Sequence, residues 1–338
     1  MADYSDRETD KRLLTLERRL KKLYKDATKE LRITWDQYYQ GWDEVKDGKT
    51  IRHKGLVERY AEEFAAYEAG KYHDETGKYT DLQMFNRWWY AQEARGDRIG
   101  RLCSDMAERI TTSNEEASAL INDTTRSVYQ LNKNWSAYMI EEGHKDDKVQ
   151  VAFNLVNENT LARLSKRKNQ VSFRITGIKH TADYNWNQRL IITALEQGIM
   201  QGESAYKIAD RFEAVMGRNH SAAVRNARTA ITSAQNGGRL DTYKEAANMG
   251  IKIKKRWLAT QDERTRESHV EIDGETVELD EDFSNGLNYP ADPLGEPCEV
   301  YNCRCTMVSV DPVLDGKKFR QAGYERWVAN NARRANRE

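Results

Sequence analysis

The sequence predicts an α+β protein in which a mostly helical N-terminal region is followed by a small α+β domain with a short antiparallel sheet. Three observations carry this. Charged residues make up 32% of the 338 and apolar ones only 38%, against about 25% charged in an ordinary globular domain; such a composition suits long solvated helices with thin apolar stripes. All four prolines (Pro290, Pro293, Pro297, Pro312) lie towards the C-terminal end, so nothing before them meets a proline break. Beyond Gly250 the apolar period changes from three-four to two.

The elements follow in order. Leu13, Leu16, Leu20, Leu23 and Ala27 recur at three-four spacing with charged residues between them, an amphipathic helix of about two heptads. It reads as packed on its own domain, with docking on a partner as the second reading. Further helices are predicted over 56–69, 81–95, 101–122 and 125–142, with breaks at Gly70 and Gly77, so 1–148 reads as one helical region. Residues 149–180 read as a connector: short apolar runs flank Arg163-Leu-Ser-Lys-Arg-Lys, and Val171, Phe173 and Ile175 alternate as in a strand.

From 181 to 312 the pattern predicts a second domain. Helices are expected over 182–200, over 205–215 after an N-cap at Ser204, over 222–235 closed by Gly237-Gly238, and over 240–249 closed by Gly250. Residues 251–258 alternate as a strand with a basic face, 276–279 and 306–310 are further strands, and Asp273-Gly274 marks a turn. Residues 313–338 form a basic helical tail with seven Lys and Arg against three acidic residues.

Lys and Arg number 54 and so do Asp and Glu, giving net zero charge, which excludes a uniformly basic coat. The balance hides a separation: residues 271–299 hold ten acidic side chains and no Lys or Arg, so the rest of the chain carries +10. No run approaches the roughly 18 apolar residues that span a bilayer, and the N-terminus MADYSDRETDKR lacks a signal-peptide core. A soluble protein without secretion address, membrane contact or disulfide framework is expected.

The most informative stretch is 225–305. It holds Arg225-Asn-Ala-Arg-Thr-Ala-Ile-Thr-Ser-Ala-Gln-Asn-Gly-Gly, then Lys255-Arg-Trp-Leu-Ala-Thr-Gln-Asp-Glu-Arg-Thr-Arg-Glu-Ser-His, then Asp273-Gly274, Asn288-Tyr-Pro-Ala-Asp-Pro and Asn302-Cys-Arg-Cys. In this order and spacing it resembles the Mu F-like head morphogenesis domain of the minor head proteins of tailed bacteriophages; the helical remainder matches only in general character. The resemblance implies a non-enzymatic structural protein, present in few copies in the head interior of the virion and in the host cytoplasm during assembly. It implies association with the portal protein, contact with scaffold or major capsid protein, and a role in head assembly or DNA delivery.

Three chemistries are weighed for individual residues. Cys303 and Cys305 face one side of a strand, and with Cys298 and His269 they can complete a tetrahedral Cys3His zinc site, although His followed by Cys-x4-Cys-x-Cys departs from common finger spacings. The alternative is three reduced thiols in a small core. Cys303, His269 and Asp262 can also be written as nucleophile, base and orienter, so an enzyme built on His269, Cys298, Cys303 and Cys305, zinc-dependent or cysteine-based, is the competing reading. No Walker or Rossmann phosphate loop is present, and the acidic stretch lacks the order of a calcium loop.

Nonspecific contact with double-stranded DNA is expected at Arg163, Lys166, Arg167 and Lys168 in the connector and at Lys317, Lys318, Arg333 and Arg334 in the tail, with Arg174, Lys252, Lys254, Lys255 and Arg256 as further candidates. A plain DNA-binding module is thus a third reading. Arg225, Arg228 and Arg239 are expected to meet acidic groups of the chain itself. Trp88-Trp89-Tyr90 is expected in a core rather than stacked on bases.

Overall fold

A computed structural model describes residues 3–72, 81–145 and 179–335. The candidate DNA contacts Arg163, Lys166, Arg167, Lys168 and Arg174, and the strand expected at 171–175, lie outside the described residues.

Helix α1 (Tyr4–Gln40) opens on a reciprocal cap. Asp3 Oδ1 accepts from Asp6 N–H at 2.8 Å, and Asp6 Oδ2 accepts from Asp3 N–H at 3.0 Å, satisfying two donors that a helix start leaves orphaned. The chain then forms a hairpin absent from the expected helical run, β1 (Gly41–Lys46) paired antiparallel with β2 (Lys49–Lys54). Its cause is Asp47-Gly48, whose φ of 51° and 71° give the left-handed pair that a two-residue hairpin needs.

Helix α2 (Leu56–Glu68) follows, then α3 (Leu82–Arg95), whose Asp81 side chain accepts from Gln83 N–H at 2.8 Å as an N-cap. Helix α4 runs unbroken over Asp97–Gly143, so the interruption expected between 122 and 125 is absent. Thr124 there turns its hydroxyl onto Leu120 O at 2.9 Å, the back-bond that lets threonine sit inside a helix.

Helix α5 (His180–Met200) ends before Gly202, and α6 (Ala205–Asn248) continues through Gly237-Gly238, where a helix end was expected. The reason is packing. A β-carbon on Gly238 would stand 2.6 Å from Tyr129 O and 3.2 Å from Lys133 N, so the glycine lets the α4 and α6 backbones approach without ending either helix.

The alternating segments form a three-stranded antiparallel sheet in the order β4 (Thr276–Val277), β3 (Lys254–Leu258), β5 (Thr306–Val310), with Trp257 opposite Met307 and Lys255 opposite Val277. Period two turns Ile253, Lys255 and Trp257 inward and leaves Lys254 and Arg256 outward. Lys255 therefore leaves the basic face expected of this strand. Short helices α7 (Glu267–Glu271) and α8 (Pro297–Val300) stand in the connections, and α9 (Gln321–Ala335) closes the described chain.

The described residues form two compact units, one of 3–20, 116–145 and 221–335, the other of 21–72, 81–115 and 179–220. In the first, three apolar clusters are built on Tyr243 and Met307, on Trp257 and Phe283, and on Trp135, Tyr138 and Tyr324. In the second, Trp35 meets Phe212 edge-on at 5.4 Å and its Nε1 donates to Ala205 O at 3.1 Å. Trp89 is buried there beside Tyr60, while Tyr90 is exposed. Among the described residues no helix is long and apolar enough to cross a membrane.

Candidate functional site

Thr229, Thr232, Asn236 and Arg239 recur on α6 at intervals of three, four and three, which places them on one stripe. Each engages the backbone of 302–307. Asn302 N–H donates to Thr229 Oγ1 at 3.1 Å, and Thr232 Oγ1 donates to Cys303 O at 2.8 Å. Asn236 Nδ2 donates to Cys305 O at 3.3 Å while its Oδ1 accepts from Met307 N–H at 2.9 Å. Arg239 Nη1 donates to Met307 O at 2.9 Å and to Thr306 Oγ1 at 2.7 Å. Buried peptide groups that lack a strand partner on this side are satisfied by the helix instead, and the register of Cys303 and Cys305 is fixed by it.

Both cysteines then point at one ring. Cys305 Sγ lies 3.4 Å and Cys303 Sγ 3.8 Å from His269 Nδ1, and the ligand atoms of the three residues all lie within 4.8 Å of one another. All three are buried. Trp257 packs edge-on against the imidazole at 5.1 Å. The far nitrogen, Nε2, is 2.8 Å from Glu299 Oε2 without hydrogen-bond geometry, and that oxygen accepts from Ser268 Oγ at 2.8 Å. Cys298 is exposed on α8 and stands outside this group, so the structure unites three of the four expected ligands.

The sulfurs are electrostatically unequal. Cys303 is pushed up, first by donating its hydrogen to Cys305 and then by burial. Cys305 is drawn down by receiving that bond; burial opposes this, while His269 and the Thr260 N–H assist it. The catalytic arrangement of Cys303, His269 and Asp262 does not form. Asp262 is gripped by both terminal nitrogens of Arg304, one at 2.7 Å, which holds its carboxyl well below the usual range. The carboxylate beside His269 is Glu299.

The arginines of α6 meet groups of the chain, but not the acidic stretch. Arg228 Nε donates to Glu17 at 2.7 Å, Arg225 lies over the Tyr301 ring at 5.2 Å, and Arg239 reaches the first turn of α1. The acidic stretch is met instead by Lys244, 2.8 Å from Asp280, by Lys254 on Glu278, and by Lys255. Of the tail residues, Lys317 donates to Gly143 O at 2.7 Å, at the C-terminus of α4. Lys318 and Arg333 are exposed. Arg334 lies on α9, with its side chain outside the described set.

The segment holding both the stripe and the cysteines is the one that comparison recognises: residues 189–308 match the family described as Phage Mu protein F like protein. That segment is similar to the Mu F-like phage proteins. Over 237 residues it is 25% identical to Minor head protein GP7 of Bacillus phage SPP1, covering 68% of this chain and 72% of that one. Over 248 residues it is 29% identical to an Enterococcus faecalis protein named NAD(+)--arginine ADP-ribosyltransferase EFV, covering 67% of this chain and 50% of the relative. The chain thus spans only half the length of the enterococcal protein. No solved structure matches. The Mu F-like match begins inside α5 and ends inside β5, so it takes in the Thr229–Arg239 stripe, His269, Glu299, Cys303 and Cys305.

Two kinds of residue escaped the sequence reading. Glu299 is one of ten acidic residues between 271 and 299, and nothing local separates it from the others. The Thr229, Thr232, Asn236 stripe did leave a signal, since polar positions at helical spacing on an otherwise apolar face predict a buried polar seam.

Proposed function

We propose that this protein is a non-enzymatic minor component of a tailed-phage head, acting in head morphogenesis, associated with the portal protein and touching packaged double-stranded DNA without reading its sequence. One observation carries the reading: the segment that builds the α6 stripe and the sheet is the Mu F-like segment, in a chain that also aligns over most of a phage minor head protein. Exposed Lys318 and Arg333 supply phosphate contacts of the sequence-independent kind. Scaffold or major capsid protein is the further partner of this reading, and the head interior its place.

The transferase named for the enterococcal relative belongs to a protein twice as long as the part aligned here. Each alignment covers about two thirds of this chain, so the two overlap on at least a third of it. What a named transferase and a named head protein both share with this chain does not account for the transferase.

The test is an amber mutation in the gene for this chain in its phage. Mass spectrometry should find the protein in wild-type heads, the mutant should yield defective or non-infectious heads, and tagged protein should capture the portal protein from infected cells. Normal titre from the mutant, with the protein absent from wild-type virions, would refute the head role. Transfer of ADP-ribose from labelled NAD to an arginine acceptor by the purified chain would refute the non-enzymatic part alone.

A further inference from the structure

We infer that His269 Nδ1, Cys303 Sγ and Cys305 Sγ are three ligands of one bound zinc ion, with Glu299 orienting the histidine from its other nitrogen and exposed Cys298 taking no part. Three independent features converge on this. The first is distance. Zinc bound tetrahedrally at about 2.3 Å from sulfur and about 2.0 Å from nitrogen sets the nitrogen and each sulfur about 3.5 Å apart; here they are 3.4 and 3.8 Å apart.

The second is lone-pair count. Both sulfurs lie against Nδ1, and Glu299 Oε2 lies 2.8 Å from Nε2 without hydrogen-bond geometry; a ring proton on Nε2 leaves one lone pair on Nδ1. Only one thiol can bond that lone pair directly, whereas one cation can receive it together with two thiolates. A carboxylate on the far nitrogen of a ligating histidine is also the recurrent outer support of such sites.

The third is where the site lies. It ties α7, of five residues, to the chain entering β5, in a region whose other elements are the four-residue α8 and the two-residue β4. Helices and strands this short do not persist on their own propensities. A cation at this point fastens pieces that the apolar cluster around Trp257 and Phe283 holds only in part. Two thiolates and one divalent cation leave the buried centre without net charge.

The experiment uses the full chain purified under reducing conditions, stripped with a chelator, checked for retained helicity and titrated with cobalt(II) and zinc(II). One metal per chain is expected, with the near-ultraviolet absorption of a cobalt thiolate and a rise in thermal midpoint on adding zinc. Binding should weaken at least 100-fold in Cys303→Ser, Cys305→Ser and His269→Ala, and tenfold to 100-fold in Glu299→Gln. Cys298→Ser should bind as the wild type does. If the ligand variants do not fold, the wild-type cobalt spectrum and the Glu299→Gln affinity decide. A folded wild-type chain that shows no cobalt-thiolate band overturns the inference, and so does loss of binding in Cys298→Ser. Neither result bears on the head role, which amber mutation tests separately.

Discussion

Arg239 on α6 places its Nη2 2.6 Å from Asp6 Oδ1 in the first turn of α1, joining residues 233 positions apart in sequence. The guanidinium is 1% exposed and also reaches Ser5, Asn132, Thr306 and Met307 O. Removing one partner of a buried charge network strands the others. Arg239→Met is expected to cost about 3–5 kcal/mol in urea unfolding. Arg239→Lys should recover little, since one ammonium cannot span that set of acceptors. A loss below about 1 kcal/mol would show the network to be dispensable.

Lys255 provides a pH test. Its residue is fully buried, and its ammonium donates to Leu279 O at 3.0 Å and Asn288 O at 2.8 Å. Burial, then Lys244, draws its pKa down to about 8, against the pull of Asp282, Asp280 and Asp292. Below that value both folded and unfolded chains carry the charge. Between there and the ordinary lysine range the folded chain releases a proton that the unfolded chain keeps, so stability rises with pH. A gain of about 1–3 kcal/mol is expected from pH 8 to pH 10. Lys255→Met should flatten that rise, whatever it does to absolute stability; an equal slope in both proteins would refute the assignment.

Two glycines of α6 should respond oppositely to alanine. At Gly238 the added methyl meets Tyr129 O at 2.6 Å, and forcing the helices apart should cost about 1–3 kcal/mol. A β-carbon added at Gly217 meets nothing beyond its own helix within 4 Å, so Gly217→Ala should gain up to about 1 kcal/mol from helix propensity. Thermal midpoints of the two variants moving in the same direction would contradict this account of why α6 is not broken at Gly237-Gly238.

If Lys318 and Arg333 meet DNA phosphates, affinity for duplexes of any sequence should fall with salt, by about 0.9 in the logarithmic slope for each contact. Lys318→Ala and Arg333→Ala should each weaken binding uniformly and lower the slope by about one. Anisotropy titrations over a range of KCl give both quantities. An unchanged slope in the double variant would move the contacts elsewhere on the chain.

The sheet was legible because alternation at 251–258 and 306–310 survives without knowledge of partners. The Cys-x-Cys pair and His269 were legible for a similar reason, since residue type and one-residue spacing already put two thiols on one side. Cys298 looked equivalent in sequence, but a four-residue helix turns it outward. Helix ends were misjudged where a glycine served packing between helices, and the β1–β2 hairpin was overlooked although Asp47-Gly48 announced it. The inward turn of Lys255 followed from the same alternation that found its strand, but its charge drew attention to the surface. Least visible was the pairing of Arg239 with Asp6, because a linear reading seeks counter-charges nearby and the acidic stretch stood closer in sequence.

The seam between α6 and residues 302–307 also sets an order of events during synthesis. Asp6 and Ser5 leave the ribosome early, Arg239 much later, and the backbone of Thr306 and Met307 that completes the same hydrogen-bond set later still. The unit holding the chain's first turn therefore cannot close vectorially. Until translation passes Met307, the hydrogen-bond set of Arg239 stays incomplete, and a chain halted before that point offers an unfinished surface to chaperones and proteases.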